Sequence, residues 1–284
     1  MATKKNHFWK YFALCLAGAV ITTFILEQKK DVQTSPRDYP DIDKQGVLHA
    51  ATEYNSISYY VDGDTLSGFY YELIRAFARR HHWQLVLTPE MSIHARLDGL
   101  ARGRYDVIAY GIPTTNELKD SLLLTLPIVR YKQVLVQRKP ATPDDTLSIN
   151  TPDETTRFIK SQLELAGCTL NVVKDSPAIL RIRNLSKEIA DTIYVNEIDN
   201  YGPEQLIAMV VHGDIDYAVC DENIATTLAD SMPQIDISTA ISFTQLYSWG
   251  VSKQSPLLLD SLNRWLETFL KGDTYRQIYK RYHP

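Results

Sequence analysis

After residue 45, the first third of the chain alternates between short runs of apolar residues and longer segments in which apolar residues recur every three or four positions. The segments VLHAATEY, QLVLTPE and YDVIAYG are typical of strands, and the segments between them, LSGFYYELIRAFARRHHW and SIHARLDGLARGR, are typical of helices. In the first helix Tyr70, Leu73, Ile74 and Phe77 share one face. Strands that alternate with helices across short connections predict a parallel sheet covered by helices on both faces.

The same alternation returns after an interruption. YKQVLVQRK predicts a further strand, and PATPDDTLSINTPDETT, rich in Pro, Thr and Asp, predicts a linker or a surface excursion. RFIKSQLELAG then predicts a helix, and the strands TLNVV, TIYVNEI and DYAVC alternate with the helices PAILRIRNLSKEIA, GPEQLIAMVVHG and ENIATTLADS. The tail predicts a strand, YSWGVSK, and two helices, PLLLDSLNRWLETFLKG and DTYRQIYKRYH. Two successive α/β units of similar size predict two lobes with a cleft between them.

The first thirty residues predict an export signal or a membrane anchor. Lys4, Lys5 and Lys10 precede an uncharged run from Tyr11 to Leu26, which would span roughly 24 Å of a hydrocarbon core about 30 Å thick. We favour an uncleaved single-pass anchor over residues 1–30 and keep a cleaved signal peptide as the alternative. The positive-inside rule then puts everything after residue 30 on the periplasmic side of the cytoplasmic membrane, with residues 31–44 as a polar linker.

Composition narrows the classes of function. The net charge is −4 and no Lys/Arg block exceeds a few residues, so we expect no nucleic-acid partner. Of the three cysteines, Cys168 and Cys220 are better explained as unpaired buried thiols than as a disulfide, although a bridge remains an alternative. No HExxH, GxSxG, P-loop or GxGxxG motif occurs, and we therefore expect no metal site, no cofactor and no catalytic residues.

Four stretches, taken in order, resemble the bacterial extracellular solute-binding proteins of family 3, which capture amino acids. They are LSGFYYELIRAFARRHHWQLVL, LDGLARGRYDVIAYGIPTTNE, IAMVVHGDIDYAVCDENIA and LNRWLETFLKGDTYRQIYKRYH. The resemblance implies an α/β, two-lobed periplasmic-binding-protein fold of type II (Venus flytrap), which closes on a ligand by a hinge motion. Lobe 1 would comprise residues 45–139 plus 247–284 and lobe 2 residues 140–246, with hinge crossings near 138–141 and 241–246.

Two further stretches, YNSISYY and LAGCTLNVVKDS, resemble the ligand-binding half of membrane-bound lytic murein transglycosylases of the F type. Those enzymes continue into a lysozyme-like catalytic domain. This chain stops at YKRYHP, and we therefore expect the catalytic half to be absent.

The resemblance also implies a ligand site, and one of its positions departs from the family. The family's T-x-x-R turn supplies an arginine for the ligand's α-carboxylate, a task that suits the guanidinium fork. By the spacing from Thr115, Leu118 occupies that position. We expect the carboxylate clamp to be broken or replaced, so that the protein does not bind free α-amino acids in the family's manner.

Other positions remain candidates for ligand contact. Asp221 ends the strand DYAVC where the family's Asp accepts hydrogen bonds from a ligand ammonium group, and a helix N-cap is its alternative role. Ser176, before Pro177, is either a helix cap or a ligand contact. The remaining candidates lie in the first strand–helix loop, at an expected aromatic cleft wall and at the mouth of the third strand: Glu53, Tyr54, Asn55, Ser56, Tyr59, Ile93, Tyr110 and Gly111. The tyrosines among them either stack on a ligand or belong to the core.

Three functions stay open at this point. We favour a non-enzymatic extracytoplasmic module that closes on an amino-acid-like ligand, a peptide or a cell-wall fragment, with a sensing or regulatory role towards a cell-wall enzyme or a transporter. The first alternative is an amino-acid receptor that delivers to an ABC permease. The second is a small-acid dehydratase on the same fold, which would need Asp221 or Glu53 as acid or base.

Overall fold

The computed structural model describes residues 35–140 and 157–283. The predicted anchor at residues 1–30 and most of the segment PATPDDTLSINTPDETT lie outside these residues. Among the described residues, no helix has the length and apolar character needed to cross a membrane.

The secondary structure follows the predicted alternation. The helices are α1 Tyr39–Gln45, α2 Phe69–Arg80, α3 Ile93–Ala101, α4 Asn116–Lys119, α5 Ala178–Glu188, α6 Pro203–His212, α7 Glu222–Ala229, α8 Pro256–Phe269 and α9 Asp273–Tyr282. The strands are β1 Val47–Thr52, β2 Tyr60–Asp62, β3 Thr65–Ser67, β4 Gln84–Pro89, β5 Val107–Pro113, β6 Leu123–Leu124, β7 Val129–Tyr131, β8 Gln133–Arg138, β9 Thr169–Val173, β10 Tyr194–Ile198, β11 Tyr217–Asp221, β12 Ile235–Asp236 and β13 Gln245–Val251.

Two larger sheets organise these strands. The first has the order β4-β1-β5-β13-β6, with β7 also paired to β13, and the second has the order β10-β9-β11-β8-β12. In the first sheet β1, β4 and β5 run parallel, and β13 runs antiparallel to β5. In the second, β9, β10 and β11 run parallel, and β8 runs antiparallel to β11. Each sheet therefore combines three parallel strands, as the alternation predicts, with antiparallel strands from elsewhere in the chain.

The amphipathic pattern of α2 gives the first lobe much of its core. Tyr70, Leu73, Ile74 and Phe77 are all buried, as their shared helix face predicts. Phe77 lies edge-on to Trp83 at a centroid distance of 5.8 Å. Burial of such large side chains contributes about 1.5–3 kcal/mol each, and the packing fixes the helix against the first sheet.

The chain crosses between the sheets at two places. β7 pairs in the first sheet, whereas β8, which starts at Gln133, pairs with β11 and β12 in the second. The chain returns between Ser242 and the start of β13, inside the expected crossing at 241–246. The outward crossing lies at Lys132, before the expected 138–141, so β8 lies in the second sheet although the predicted lobe 1 included it. A strand buried on both faces has the same pattern in either sheet, and its pattern therefore does not reveal its partner.

The structure differs from the sequence-based expectation at two further segments. Residues 39–45, within and just after the expected linker, form α1, because Asp38 caps the helix with a reciprocal capping box and Ile42 is buried. RFIKSQLELAG forms only a 3₁₀ turn at Gln162–Leu165 instead of the predicted helix. The Ser161 side chain makes no capping bond to this turn.

Both cysteines of the second lobe are buried and free. Cys168 belongs to the apolar core of that lobe, and Cys220 lies on β11. Burial raises the pKa of the Cys220 thiol, which stays protonated at neutral pH. The prediction of two unpaired buried thiols is therefore confirmed.

A buried ion pair ties the segment before α1 to the first sheet. The Arg37 guanidinium donates to both carboxylate oxygens of Asp106, and its Nη2 also donates to the carbonyl of Val47 at 3.2 Å. The Asp106 side chain is 0% exposed and accepts the His49 amide hydrogen at 2.8 Å. Because the pair is bidentate and desolvated, either partner left alone would be an uncompensated buried charge.

We predict that Arg37→Met lowers the free energy of unfolding by about 3 kcal/mol, since Asp106 then stays buried without its cation. Denaturant unfolding followed by circular dichroism measures the change. The control is Arg264→Met, which removes an arginine that is 72% exposed and pairs with Asp260, and this variant should change stability by no more than about 1 kcal/mol. Equal losses in the two variants would contradict the prediction.

Candidate functional site

A cavity of about 530 Å³ lies between the two sheets, at the carboxyl ends of β1, β5, β9 and β11. In sheets with parallel strands, a crevice lies outside the carboxyl ends of the strands, and side chains from the loops that follow these ends line the crevice. The cavity is therefore built where the two α/β units present their loops to each other, and its volume suits a small molecule.

Seven of the eleven predicted site residues line this cavity: Glu53, Ile93, Tyr110, Gly111, Leu118, Ser176 and Asp221. The other four, Tyr54, Asn55, Ser56 and Tyr59, lie in the loop beside it. Tyr54 is 48% exposed and meets Tyr59 edge-on at 6.0 Å. The side chain of Asn55 accepts the amide hydrogens of Ile57 and Ser58.

A buried ion pair forms one wall of the cavity. Glu53 follows β1. Its Oε2 accepts a hydrogen bond from Nη1 of Arg96, on α3, at 3.1 Å, and its Oε1 accepts one from the side-chain amide of Asn55 at 3.2 Å. Burial raises the pKa of Glu53, and the Arg96 charge opposes that rise. The Arg96 guanidinium also lies over the Tyr110 ring, 4.8 Å from its centroid. Arg96 was not predicted from the sequence.

Asp221 faces this wall from the other sheet. It holds the N-cap position of α7, but its side chain makes no capping bond. Instead its Oδ1 accepts from the Tyr247 hydroxyl at 3.3 Å. Burial, and then the charge of Glu53, raise the pKa of Asp221 from 3.8 to about 7, and hydrogen bonds from Tyr247 and Gln133 oppose the rise. A carboxyl that titrates near neutral pH in a crevice is a mark of a functional group.

Two tyrosines, Tyr110 and Tyr247, line the cavity, and each packs against a buried tyrosine. Tyr131 and Tyr247 stack with a centroid distance of 3.7 Å, and Tyr70 and Tyr110 lie 5.8 Å apart. Burial raises the pKa of all four, which keeps their hydroxyls protonated. Gly111 lies directly against them, because a Cβ at that position would collide with the hydroxyls of Tyr70 and Tyr131.

Two of the predicted site residues, Leu118 and Ser176, line the cavity but do not belong to its charged wall. Leu118 is half-buried and packs against an apolar cluster that includes Leu100 and Ile108, so this side of the cavity is apolar. The Ser176 hydroxyl accepts the Ala178 amide hydrogen at 3.2 Å at the start of α5. Ser176 lies one residue before Pro177, which is the N-cap residue of the helix, and its position on the cavity surface keeps it a candidate for ligand contact.

Contacts also cross the mouth of the cleft. The Ser56 amide donates to Oε1 of Glu204, in the first turn of α6, at 2.6 Å. On the exposed rim, Nε2 of His94 lies 3.4 Å from the Asp175 carboxylate. These contacts join a loop and helix α3, which follow strands of the first sheet, to Glu204 of α6 and to the segment before α5, so they require the two sheets to be close together.

The two crossovers meet behind the cavity. The Gln133 amide donates to the Ser242 hydroxyl at 2.9 Å, and the amide of Ile241 donates to the Gln133 carbonyl at 2.8 Å. Two neighbouring crossovers of this kind are suited to a hinge, because a change in the backbone torsions of few residues would rotate one lobe relative to the other. Gln133 also lines the cavity, so the crossover and the cavity share a residue.

Metal binding finds no support in the part of the chain that the structure describes. There, no three His, Cys, Asp or Glu side chains form a group that could hold a metal ion. The chemistry of the cavity is that of a carboxylate, an ion pair and phenolic hydroxyls.

Comparisons with known proteins identify the fold. Residues 47–284 match the family model of bacterial extracellular solute-binding proteins, family 3. A membrane-bound lytic murein transglycosylase F of Desulfosudis oleivorans is 30% identical over 254 residues, which cover 89% of this chain and 52% of the relative. The chain thus spans about half the length of this curated relative.

Solved structures agree with the family match. A mutant of ArgBP from T. maritima superposes with a TM-score of 0.70 at 23% identity, covering 86% of this chain and 97% of the other. AbpA of Streptococcus pneumoniae, bound to L-arginine, gives 0.69 at 19% identity, with coverage of 86% and 97%. At these identities the likeness shows the fold, which is the mixed α/β, two-lobed periplasmic-binding-protein architecture.

The raised pKa of Asp221 makes a prediction about stability. The folded protein holds the proton up to pH of about 7, whereas the unfolded chain releases it near 3.8. Between these values the folded state binds more protons, so this group favours folding at low pH and disfavours it as the pH rises. We predict that Asp221→Asn gains stability relative to the wild type between pH 4 and pH 8, by on the order of 2–4 kcal/mol.

Chemical unfolding at both pH values, without added ligand, measures this difference. Asp62→Asn is the control, because Asp62 is an exposed aspartate at the end of β2. A pH-independent difference between Asp221→Asn and the wild type would contradict the raised pKa.

The contact between Ser56 and Glu204 predicts an effect on closure. Glu204→Ala removes a charged acceptor worth about 1.5 kcal/mol, and we expect a population shift of about tenfold away from the closed arrangement. Small-angle X-ray scattering should then give a larger radius of gyration. Asp273→Ala is the matched control, since Asp273 is also a first-turn acid of a ten-residue helix but crosses no cleft. An unchanged radius for Glu204→Ala would refute the role of this contact.

Proposed function

The chain belongs to the bacterial extracellular solute-binding proteins of family 3, and from this premise we propose that it is a non-enzymatic module that closes on a small, amine-bearing ligand. Its ligand would lie in the cavity between the sheets and contact groups from both. The lobes we propose are the two sheets with their helices, joined by the crossovers at Lys132 and after Ser242. Closing would bring Asp221 and Glu53 to the same molecule.

Asp221 carries the proposal of an amine. Its carboxylate is buried among polar neutral groups, and no lysine, arginine or histidine of the described residues pairs with it in an ion pair. Next to it, Oε1 of Gln133 is buried and has no hydrogen-bond partner among the described residues. A carboxylate without a cationic partner and an acceptor without a donor favour a ligand that brings several N–H groups and a positive charge, as an ammonium or guanidinium does.

We propose a sensing or regulatory role in preference to transport. Leu118 provides apolar surface where the family resemblance implies an arginine, so a free α-amino acid would not be held in the usual way. The curated relative is named a membrane-bound lytic murein transglycosylase, which supports a peptide or cell-wall fragment as the ligand and a cell-wall enzyme as a partner.

The proposed location follows from the same resemblances. The family is described as extracellular, and we propose that the protein acts on the periplasmic side of the cytoplasmic membrane, anchored through residues 1–30. Delivery of an amino acid to an ABC permease is the alternative, and the L-arginine bound to AbpA is what favours it.

One observation favours a second candidate function. A carboxyl with a pKa of about 7 beside a second buried carboxyl can exchange protons with a substrate, and a small-acid dehydratase on this fold would need that chemistry. An assay for loss of water from small hydroxy acids separates the two functions, because a pure binding module forms no product.

We predict that a thermal-unfolding screen of amino acids, peptides and muropeptides yields stabilising ligands that carry an amine. Asp221→Ala should weaken such a ligand by at least about 30-fold, because the ligand cation would lose its buried partner. Affinity for the wild type should fall about tenfold from pH 8 to pH 6, since Asp221 must lose its proton before it can pair with a cation.

Isothermal titration calorimetry at the two pH values measures both effects. Asp62→Ala, on the exposed β2–β3 hairpin, is the control and should bind like the wild type. If Asp221→Ala binds with unchanged affinity, or if only amine-free compounds stabilise the protein, the proposed function is wrong.

A further inference from the structure

We propose that the groove between α9 and β7, beside the first sheet, is a second binding site, which takes an acidic peptide segment of a partner protein. This groove shares no lining residue with the cavity between the sheets. The inference therefore goes beyond the proposed function and does not depend on which ligand the cavity binds.

One face of a helix and one pair of strands form the groove. Four residues of α9 that recur at helical spacing line one side: Tyr275, Arg276, Tyr279 and Lys280. Arg130 of β7 and Leu246 of β13 line the other side, and they are direct partners in the antiparallel ladder. Residues opposite each other in such a ladder place their side chains on the same face of the sheet. The groove has a volume of about 440 Å³, which lies within the range of ligand-binding pockets.

The groove is positively charged although the chain as a whole has a net charge of −4. Its lining includes Arg130, Arg276 and Lys280 but no aspartate or glutamate of the described residues. Arg276 donates to Asp273 on its own helix at 2.7 Å. The side chains of Arg130 and Lys280 form no ion pair or hydrogen bond with any residue that the structure describes. Their charges are therefore free to pair with an incoming anion.

Apolar and aromatic side chains complete the lining. Leu246 is 49% exposed. The Tyr275 ring is held in place because its hydroxyl donates to the Ile128 carbonyl at 2.7 Å. Tyr279 lies 5.8 Å from Tyr275 and stacks on His283 at 4.5 Å. A fixed aromatic surface with cations beside it suits a peptide that carries an apolar side chain next to carboxylates.

The openness of the groove favours a peptide over an enclosed small molecule. Four of its lining residues are exposed: Arg130, Leu246, Arg276 and Lys280. Solvent would therefore reach the occupant from one side, and a peptide compensates because neighbouring residues of the same chain add contacts along the helix. All lining residues fall within 127–130 and 246–280, in the proposed first lobe. A peptide there would contact the open and the closed arrangement equally, so its binding should be independent of closure.

The test selects binders from a library of short random peptides displayed on phage, with the full protein as the target. Fluorescence polarisation then gives the affinity of each enriched peptide. We expect acidic residues flanking an apolar one, and an affinity that falls about fivefold between about 0.05 M and about 0.5 M NaCl, because salt screens exposed charges. Arg130→Glu/Lys280→Glu should weaken binding at least about 30-fold, since two attractions become repulsions.

Two further double variants make the result specific for the groove. Arg130→Gln/Lys280→Gln removes both charges without reversing them and should weaken binding about tenfold. Lys187→Glu/Lys253→Glu is the matched control, because it changes the net charge equally at exposed positions outside the groove, and it should bind like the wild type. Enriched peptides without acidic residues, an equal loss in the control, or no enriched peptide at all would overturn the inference.

An anionic lipid surface is the competing occupant. Co-sedimentation with phosphatidylcholine vesicles that contain about one third phosphatidylglycerol tests it. If the wild type binds these vesicles, Arg130→Glu/Lys280→Glu does not, and no peptide is enriched, the groove is a lipid contact and the peptide assignment is wrong.

Failure of the inference is separable from failure of the proposed function. Asp221→Ala should bind the enriched peptides like the wild type, because Asp221 lies in the other cavity. A loss of peptide binding in this variant would place the peptides in the cleft and overturn the inference. Arg130→Glu/Lys280→Glu should in turn keep the affinity of the wild type for amine-bearing ligands, whether or not the groove binds a peptide.

Discussion

The cleft holds two buried carboxyl groups, Glu53 after β1 of the first sheet and Asp221 at the end of β11 in the second, and their charges repel each other. Burial raises the pKa of both groups, but only Glu53 has a cation, Arg96, against it. Asp221 is left to neutral donors, which stabilise its charge less than a cation does. On the proposed function, the closed arrangement would be favoured when a proton or a ligand cation neutralises Asp221, and closure would be linked to the charge in the cavity.

Few elements separate Asp221 from the two crossovers that connect the lobes. Asp221 ends β11, and β11 pairs with β8, which begins at the crossover residue Gln133. Gln133 in turn is bonded to Ser242 in the other crossover and opposes the rise in the pKa of Asp221. The crossover and the carboxylate thus share a strand pair, so that a ligand at Asp221, as proposed, would act directly beside the torsions of the proposed hinge.

The sequence predicted the alternation because it depends on local patterns, and it predicted most of the lining because several of its stretches resemble a known family. The strands that end before Glu53 and at Asp221 could be located from periodicity and order, whereas β5 continues past Tyr110 to Pro113. The sheet of β8 could not, since partner choice is a long-range property of a strand that is buried on both faces. Arg96 was missed although a signal exists: it falls three residues after Ile93, on the face of α3 that buries Leu100. A charge inside an apolar stripe points to a partner elsewhere in the fold.

On the proposed function, contacts that never touch the ligand would also contribute to its affinity. The Ser56 amide and the Glu204 carboxylate meet only when the lobes are close together, so their free energy adds to that of every ligand that requires closure. A stronger contact would populate the closed arrangement before binding and raise the affinity for all ligands alike. Selectivity must then come from groups inside the cavity. Affinity and selectivity are in this way assigned to different residues, the first shared with the cleft mouth and the second held by the charged walls.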